Sequence, residues 1–210
     1  GRVVYQQLVA INLAVKNGSF FTNPELDSAF QNAKKTGKAI HFMGLLSDGG
    51  VHSDINHVIA LLQKAKNVGI DKVYVHAFMD GRDTAPTSGK GFMTTLLNKM
   101  KAIGVGQVAT VSGRYFAMDR DNNLDRVQLA YDAIVNAKGP TASDPLALLD
   151  DRYAQKEEDE FIKPTLIIKD GKPVATINAG DSVIFFNFRP DRARELTTTL
   201  ITPPAPPIYF

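Results

Sequence analysis

The sequence predicts an α/β domain whose mostly parallel sheet carries helices on both faces, with a β-hairpin near the C-terminal part. Short apolar runs typical of fully buried strands alternate with helical apolar stripes along most of the chain. Such alternation indicates βαβ units, which place successive strands parallel and cover both faces of the sheet. The turn sequence Asp170-Gly171 between two later strand-like runs predicts the hairpin. A chain of 210 residues, 44% of them hydrophobic, is long enough for one sizeable core.

The first part of the chain carries three strand-and-helix signals in succession. Asn23, Pro24 and Glu25 form the pattern of an N-cap, a first-turn proline and an acidic first turn, so a helix is expected from there to Gly37. The apolar runs that predict buried strands span residues 39–46, 73–79 and 108–111. Helices follow these strands, with apolar stripes within residues 55–62, 92–100 and 124–134. Ser53 is the expected cap of the first of these three helices.

The alternation changes in the last third of the chain. Residues 144–160 have a helical and acidic pattern, and residues 157–160 are expected to form a solvated face. The arms of the hairpin are predicted at residues 165–169 and 174–177, and Pro173 favours a sheet edge for it. A last buried strand is predicted at residues 183–188, followed by a helix from about residue 190 to residue 200.

The chain is expected to form one domain, residues 1–201, followed by a Pro-rich tail or linker at residues 202–210. The prolines of this last segment cannot continue a helix. The opening residues Gly1, Arg2 and Val3 include neither an initiator methionine nor a polar leader, so we expect a piece of a longer protein.

Composition excludes several classes of protein. Lysine and arginine number 24 against 22 aspartates and glutamates, so the net charge of +2 provides no field for non-specific nucleic-acid binding. The absence of cysteine excludes disulfides, zinc ribbons and thiol catalysis, and it fits a reducing compartment. No apolar run reaches the roughly 18 residues of a membrane-spanning helix. We therefore expect a cytoplasmic protein with neither nucleic acid nor membrane as partner.

Polar clusters directly follow four of the predicted strands. The clusters lie within residues 47–52, 80–83, 112–121 and 187–192. Because ligands of open α/β sheets bind at the carboxyl ends of the strands, four independent clusters at such ends predict one shared site.

These clusters contain five arginines and a single histidine, His52. The five arginines are Arg82, Arg114, Arg120, Arg189 and Arg192. Guanidinium groups match the oxygens of carboxylate and phosphate bidentately, and glycines such as Gly49 and Gly113 let backbone N–H groups approach an anion. The content predicts a small polyanion as ligand, such as a phosphorylated carboxylic acid.

Each residue also has a purely structural interpretation. Any one arginine can be a surface ion-pair partner, and Asp83 or Asp191 can serve only to hold arginines in place. His52 can be a first-turn helix residue. The other histidines are expected to be structural or exposed: core positions for His41 and His76, and solvent exposure for His57.

No metal or nucleotide site is expected within this sequence. Asp48, His52, Asp54 and His57 resemble a ligand list, but they are spread over a turn and different helix faces. Gly89-Lys90 lacks the leading glycine and the final hydroxyl residue of a phosphate-binding P-loop.

The segments around the four clusters resemble, in the same order, motifs of the cofactor-independent (2,3-bisphosphoglycerate-independent) phosphoglycerate mutases. They are LLSDGGVHS (45–53), HAFMDGRDT (76–84), SGRYFAMDRD (112–121) and NFRPDRA (187–193). The resemblance extends over roughly residues 1–200. It implies the inserted substrate-binding domain of a two-domain enzyme that interconverts 3-phosphoglycerate and 2-phosphoglycerate through a phosphoserine intermediate.

The resemblance also assigns roles. It implies substrate contacts by seven residues: His52, Arg82, Asp83, Arg114, Arg120, Arg189 and Arg192. It implies that Asp83 is the catalytic acid and base for the glycerate hydroxyls. The nucleophilic serine and two divalent metal ions, usually manganese, would belong to a second, metal-binding domain that the chain lacks.

The isolated chain is therefore expected to need no cofactor of its own and to be inactive by itself. Two alternatives from other classes are a non-catalytic module that binds small anions and a metal-dependent phosphatase.

Overall fold

The structure, a computed structural model, describes residues 6–202. The predictions for the opening residues 1–4 and for the prolines at residues 203–207 lie outside the described residues.

The described chain alternates helices and strands. The helices are α1 (Gln7–Asn17), α2 (Pro24–Thr36), α3 (Ile55–Val68), α4 (Gly89–Ile103), α5 (Arg114–Ala117), α6 (Leu124–Ile134), α7 (Pro145–Ala154) and α8 (Arg194–Ile201). The strands are β1 (Ile40–Leu45), β2 (Val73–Met79), β3 (Gln107–Gly113), β4 (Thr141–Ala142), β5 (Thr165–Lys169), β6 (Lys172–Pro173) and β7 (Ser182–Phe185). Two short 3-10 helices span Ser19–Thr22 and Asp159–Phe161.

The strands form one mostly parallel sheet in the order β4-β5-β3-β2-β1-β7, and β6 pairs with β5. β7, β1, β2 and β3 are parallel neighbours, whereas β5 is antiparallel to β3. This confirms the predicted α/β class. Because four neighbouring strands share one direction, their carboxyl ends lie along the same edge of the sheet, and the polar clusters follow those ends.

Helices cover both faces of the sheet, as predicted. On one face a large apolar cluster joins the sheet to α2, α3, α4 and α7, with Phe30 and Leu62 fully buried. On the other face a smaller cluster joins Met43 and Phe78 of the sheet to α5, α6 and α8. A sheet buried on both faces explains why β1 and β2 consist almost entirely of apolar residues.

Local signals in the sequence account for several helix ends. The Asn23 side chain accepts hydrogen bonds from the backbone N–H groups of Glu25 and Leu26, and α2 ends at Gly37 with φ +67°. The expected cap of α3 was wrong by one residue: Asp54 accepts from Asn56 N at 2.8 Å. Ser53 Oγ instead donates to the Leu45 carbonyl oxygen at 2.5 Å, at the end of β1.

The hairpin is present, but its second arm is shorter than predicted. Asp170 and Gly171 form the turn with φ of +52° and +76°, and β6 comprises only two residues, so a strand over 174–177 was wrong. Pro173 has no backbone N–H, so it cannot donate a hydrogen bond to β5 and extend the pairing of the two strands. The chain then crosses to α6, where Ile177 N donates to the Ile134 carbonyl oxygen at 3.0 Å.

The last strand and helix are also shorter than predicted. β7 ends at Phe185 and lies at the sheet edge beside β1, where Val183 is exposed rather than buried. α8 begins only at Arg194, because the residues from 190 to 193 form a turn.

The acidic stretch at residues 157–160 is not a solvated face. Asp159 is completely buried and accepts hydrogen bonds from Gly89 N, at 2.7 Å, and from the Tyr153 hydroxyl. It thereby satisfies one of the N–H groups that have no partner within the first turn of α4. The acidic composition of residues 157–160 does not predict this structural role. Burial raises the pKa of Asp159.

None of the helices within residues 6–202 is long and apolar enough to cross a membrane.

Candidate functional site

The loops that follow β1 and β7 are tied together at the site edge. Asn187 Oδ1 accepts a hydrogen bond from Leu45 N at 2.9 Å, and the His52 carbonyl oxygen accepts one from Phe188 N at 2.8 Å. A Cβ on Gly44, at φ +155°, would lie 2.8 Å from Asn187 Oδ1, so this close approach requires glycine. These bonds join the first and last polar clusters.

The loop after β2 and the start of α5 are joined by Arg114. Its side chain is buried, and Nη1 donates to Asp80 Oδ1 at 2.8 Å and to Asp83 Oδ2 at 2.7 Å. Burial opposes the charge of Arg114, but the hydrogen bonds and charges of Asp83 and Asp80 outweigh it, so the pKa of Arg114 is raised. The guanidinium is therefore a permanent cation at the edge of the sheet.

Asp191 gathers two further arginines from distant parts of the chain. Its Oδ2 accepts from Arg120 Nη1 at 3.0 Å and from Arg189 Nη2 at 2.9 Å. Burial raises the pKa of Asp191, but the charge of Arg189 and the hydrogen bonds from both arginines together lower it by more. The pKa of Asp191 is therefore below its usual range. Two guanidinium groups thus share one carboxylate, which leaves positive charge uncompensated at this point.

His52 lies between the two carboxylate-arginine groups. It is 3% exposed, and its Nδ1 is 3.8 Å from Asp191 Oδ1. Among the described residues neither of these two atoms has a hydrogen-bond partner. Burial and the charges of Arg114 and Arg189 lower the pKa of His52, so the ring is neutral at pH 7. A neutral imidazole with a free nitrogen can bind an additional polar group.

Arg192 faces the other arginines across a cleft of about 360 Å³. Its Nη1 donates to the Met118 carbonyl oxygen at 3.2 Å. Burial lowers the pKa of Arg192, and so do the charges of Arg120, Arg114 and Arg82. An anion in this cleft would relieve the repulsion between these cations.

Arg82 is exposed at the cleft and makes a long ion pair. Its side chain is 59% exposed, and Nη1 is 3.6 Å from Glu160 Oε1 across the cleft. An exposed ion pair of this kind stabilises the fold by less than about 1 kcal/mol, so Arg82 can exchange Glu160 for a bound anion at little cost.

The structure thus brings all seven predicted site residues to one edge of the sheet. His52, Asp83, Arg114 and Arg189 form one connected group through the charges and bonds described above. Arg82, Arg120 and Arg192 line or approach the neighbouring cleft together with Arg114.

Several neighbours of the site were not predicted. Arg126 stacks on the Tyr115 ring at 3.8 Å and lines the cleft, but it lies on α6 rather than at a strand end. Asp119 accepts from the backbone N–H groups of Asp121 and Asn123 and thereby shapes the loop that carries Arg120. The contact of Arg126 with Tyr115 depends on the packing of α6 against α5. The bonds of Asp119 are local, and only the repeated Asp residues beside the arginines hinted at them.

The remaining histidines have structural positions. His41 and His76 are fully buried, as predicted, with His41 Nδ1 3.0 Å from His76 Nε2. The expectation for His57 was wrong: it is 3% exposed, and its Nε2 is 2.8 Å from Asn12 Oδ1. The covering residue, Asn12, belongs to α1, a helix that was not predicted from the sequence.

Within residues 6–202, no group of three or more His, Asp or Glu side chains could hold a metal ion. Five arginines line the cleft against three carboxylates, so its lining suits an anion rather than a cation.

A larger groove of about 780 Å³ lies elsewhere, near the amino-terminal end of β3. Met100, Val105 and Ile167 are among its lining residues, and the lining contains no arginine. Its chemistry does not match the anion predicted from the sequence.

Similar sequences and a similar solved structure all come from one family of proteins. The model of the BPG-independent PGAM N-terminus family (iPGM_N) matches residues 11–207. The 2,3-bisphosphoglycerate-independent phosphoglycerate mutase of Clostridium perfringens (strain ATCC 13124) is 56% identical over 203 residues, which are 97% of this chain and 40% of that protein. The corresponding protein of Listeria welshimeri is 52% identical over 197 residues, or 94% of this chain and 39% of that protein.

A solved structure agrees with the sequence relatives. Leishmania mexicana phosphoglycerate mutase, crystallised at low cobalt concentration, superposes with a TM-score of 0.88 at 30% identity, covering 94% of this chain and 38% of that one. The chain therefore spans about two fifths of the length of these relatives. With the family model matched over most of its length, the chain belongs to the BPG-independent phosphoglycerate mutase N-terminal domain family.

Proposed function

We propose that this chain is the substrate-binding domain of a 2,3-bisphosphoglycerate-independent phosphoglycerate mutase, an isomerase of 3-phosphoglycerate and 2-phosphoglycerate. The observation that carries the proposal is the convergence of five arginines and a neutral histidine on one sheet edge. Several of these cations lack a carboxylate of their own, as the sharing of Asp191 by Arg120 and Arg189 illustrates. A ligand with both a phosphate and a carboxylate would supply the missing negative charge.

The geometry supports a division of labour among the site residues. Arg114, held by Asp80 and Asp83, is a fixed cation, whereas the exposed Arg82 would turn from Glu160 onto a bound anion. Arg120, Arg189 and Arg192, which come from the loops after α5 and β7, would grip the second acidic group. His52 would complete the contacts through its unpaired Nδ1.

Asp83 is the proposed acid and base for the glycerate hydroxyls. Its side chain is 14% exposed, so it can reach a ligand in the site while one oxygen remains bonded to Arg114. A carboxylate that accepts a proton from a hydroxyl and returns it after the glycerate turns would serve both directions of the isomerisation.

The remaining chemistry is assigned to a second domain. The phosphate would rest on a serine of that domain, where two divalent metal ions, which we propose to be manganese, would supply Lewis-acid chemistry. The full enzyme would act in glycolysis in the cytoplasm. This chain's own part is to bind, orient and exchange a proton with the glycerate.

Titration with 3-phosphoglycerate tests the binding role. Arg189→Ala should weaken binding about 10- to 100-fold, because a charge-assisted contact contributes about 1.5–3 kcal/mol. The matched control is Lys99→Ala, an exposed cation on α4. A non-catalytic scaffold without this site would respond to neither change, and that result would overturn the proposal.

Turnover by the chain alone tests the division between domains. With manganese and 3-phosphoglycerate, we expect no isomerisation, since binding groups cannot replace a nucleophile. Release of inorganic phosphate would instead support a metal-dependent phosphatase, and formation of 2-phosphoglycerate would reveal a nucleophile within this chain.

A further inference from the structure

Asp80 occupies a central position beneath the proposed site without reaching the cleft. It directly follows β2 and is 1% exposed. Its Oδ1 accepts from Arg114 Nη1 at 2.8 Å and from the backbone N–H groups of Arg82 at 3.2 Å and Asp83 at 2.9 Å. Its Oδ2 accepts from Ser47 Oγ at 2.5 Å.

One buried carboxylate therefore connects three strand ends. Ser47 follows β1, Asp80 follows β2, and Arg114 follows β3. The turn between them is also fixed by packing: Gly81 has φ +66°, and a Cβ there would lie 2.9 Å from Glu160 N. With its conformation set in this way, the turn presents Asp83 to the site in one orientation.

Arg114 Nη1 is shared by two carboxylates with different surroundings. Asp80 is sealed in the interior, whereas the side chain of Asp83 is 14% exposed at the site. When Asp83 takes up a proton or turns toward a ligand, its bond to Arg114 weakens. The bond from Arg114 to Asp80 does not involve Asp83, so it remains available to hold the guanidinium.

We infer that Asp80, supported by Ser47, is a positioning residue that holds Arg114 and the Asp83 turn in place while Asp83 exchanges its proton. This inference rests on the proposed function. Asp80 does not touch the ligand, so it acts through Arg114 and Asp83. Its loss should therefore affect the rate of the chemical step more than the binding of substrate.

The test uses the two-domain enzyme that carries this domain, with phosphoglycerate isomerisation as the assay. Asp80→Asn keeps the size of the side chain but removes its charge. We expect kcat to fall about 30-fold or more, as for other displaced acid-base groups, while KM changes by less than about threefold. The other arginines would still grip the substrate.

A matched control separates positioning from stability. Asp181 is another buried aspartate, with a side chain 4% exposed, and it accepts from Ala39 N at 3.0 Å and from Asn178 N at 2.8 Å near the opposite end of β1. Asp181→Asn should lower the melting temperature and leave kcat within about twofold of the wild type, measured well below that temperature.

If Asp80→Asn fails to fold, Ser47→Ala decides, since it removes only the Oδ2 hydrogen bond. We expect kcat to fall about 2- to 10-fold at unchanged KM, the range expected for one hydrogen bond. The inference is overturned if kcat of Asp80→Asn stays within about twofold of the wild-type value, or if Asp181→Asn loses as much kcat as Asp80→Asn. If Asp80→Asn does not fold, an unchanged kcat in Ser47→Ala overturns the inference. An inactive wild type would instead overturn the proposed function itself.

Discussion

Carboxylates organise the arginines of the site at the residue scale. Asp191 holds Arg120 and Arg189, and Asp80 with Asp83 holds Arg114. From the sequence alone, ion pairing and ligand binding are competing interpretations of these residues. The structure shows ion pairs that fix the guanidinium groups near one another, and such preorganisation is compatible with binding an anion.

His52 reports on this charge arrangement. Its pKa is lowered by burial and by the positive charges of Arg114 and Arg189. Arg189→Ala removes one of these charges, and it also leaves Asp191 with one cation fewer. Both changes favour the protonated ring, so the titration midpoint of His52, measured by NMR, should rise.

A distant arginine provides the control for this titration. Arg152 pairs with Asp151 and Glu157 on another part of the surface. Arg152→Ala should leave the His52 midpoint unchanged. A midpoint that falls or stays constant in Arg189→Ala would show that Arg189 does not act on the histidine.

At the scale of elements, the central strands were the most predictable. β1 and β2 lie within their predicted runs, because strands buried on both faces need continuous apolar sequence. α2 was predictable because its cap, its first-turn proline and its terminal glycine are all local signals.

Elements that depend on tertiary contacts were not predictable in this way. α1 has no buried residue, and its sequence carries no clear apolar stripe that would predict a helix. The contact between Asn12 of α1 and His57 was therefore not predicted either. β7 is a half-exposed edge strand whose end is set by its pairing with β1. The arginines of the site could be predicted from their positions after the strand ends. The burial of Asp159, which accepts a hydrogen bond from Gly89 N at the start of α4, could not.

The segment around residues 159–162 packs tightly against the end of β3. Gly113 N donates to the Ile162 carbonyl oxygen at 2.6 Å, and a Cβ on Gly113 would lie only 2.1 Å from the Glu160 carbonyl oxygen. Backbone atoms cannot move aside without shifting the segment. Gly113→Ala should therefore lower the free energy of unfolding by about 2 kcal/mol or more, measured by urea denaturation.

Gly91 is the matched control, because it lies within α4 and nothing is within 4 Å of a Cβ placed there. Gly91→Ala should raise the free energy of unfolding by about 0.5–1 kcal/mol through helix propensity. Equal effects of the two substitutions would contradict the close packing at Gly113.

On the scale of the whole molecule, the sheet also contains a buried polar chain. His41 Nε2 is 3.3 Å from Asp181 Oδ2, His41 Nδ1 is 3.0 Å from His76 Nε2, and His76 Nδ1 is 2.9 Å from Thr110 Oγ1. These contacts cross from the residue before β7 through β1 and β2 to β3. They satisfy polar groups inside the core and connect neighbouring strands.

This chain of histidines makes stability depend on pH. Burial lowers the pKa of His41 and lowers that of His76 well below 6.5, with His41 adding to the shift of His76. Below about pH 6.5 the unfolded chain binds protons on these histidines more readily than the folded protein does, so acid favours unfolding. The free energy of unfolding should fall between about pH 7 and about pH 5, by up to about 1.4 kcal/mol per pH unit for each histidine.

Urea denaturation across this range, in which ordinary carboxylates stay ionised, measures the effect. A free energy of unfolding that is constant or rises as the pH falls would contradict neutral, buried histidines in the folded protein.

NMR of the labelled chain with 3-phosphoglycerate shows whether one edge of the sheet binds a phosphorylated carboxylic acid. We expect the largest shift changes on His52 and on residues 80–83, 112–121 and 187–192, with the guanidinium signals among them. Shift changes confined to the groove around Met100 and Ile167, or none at millimolar ligand, would contradict it.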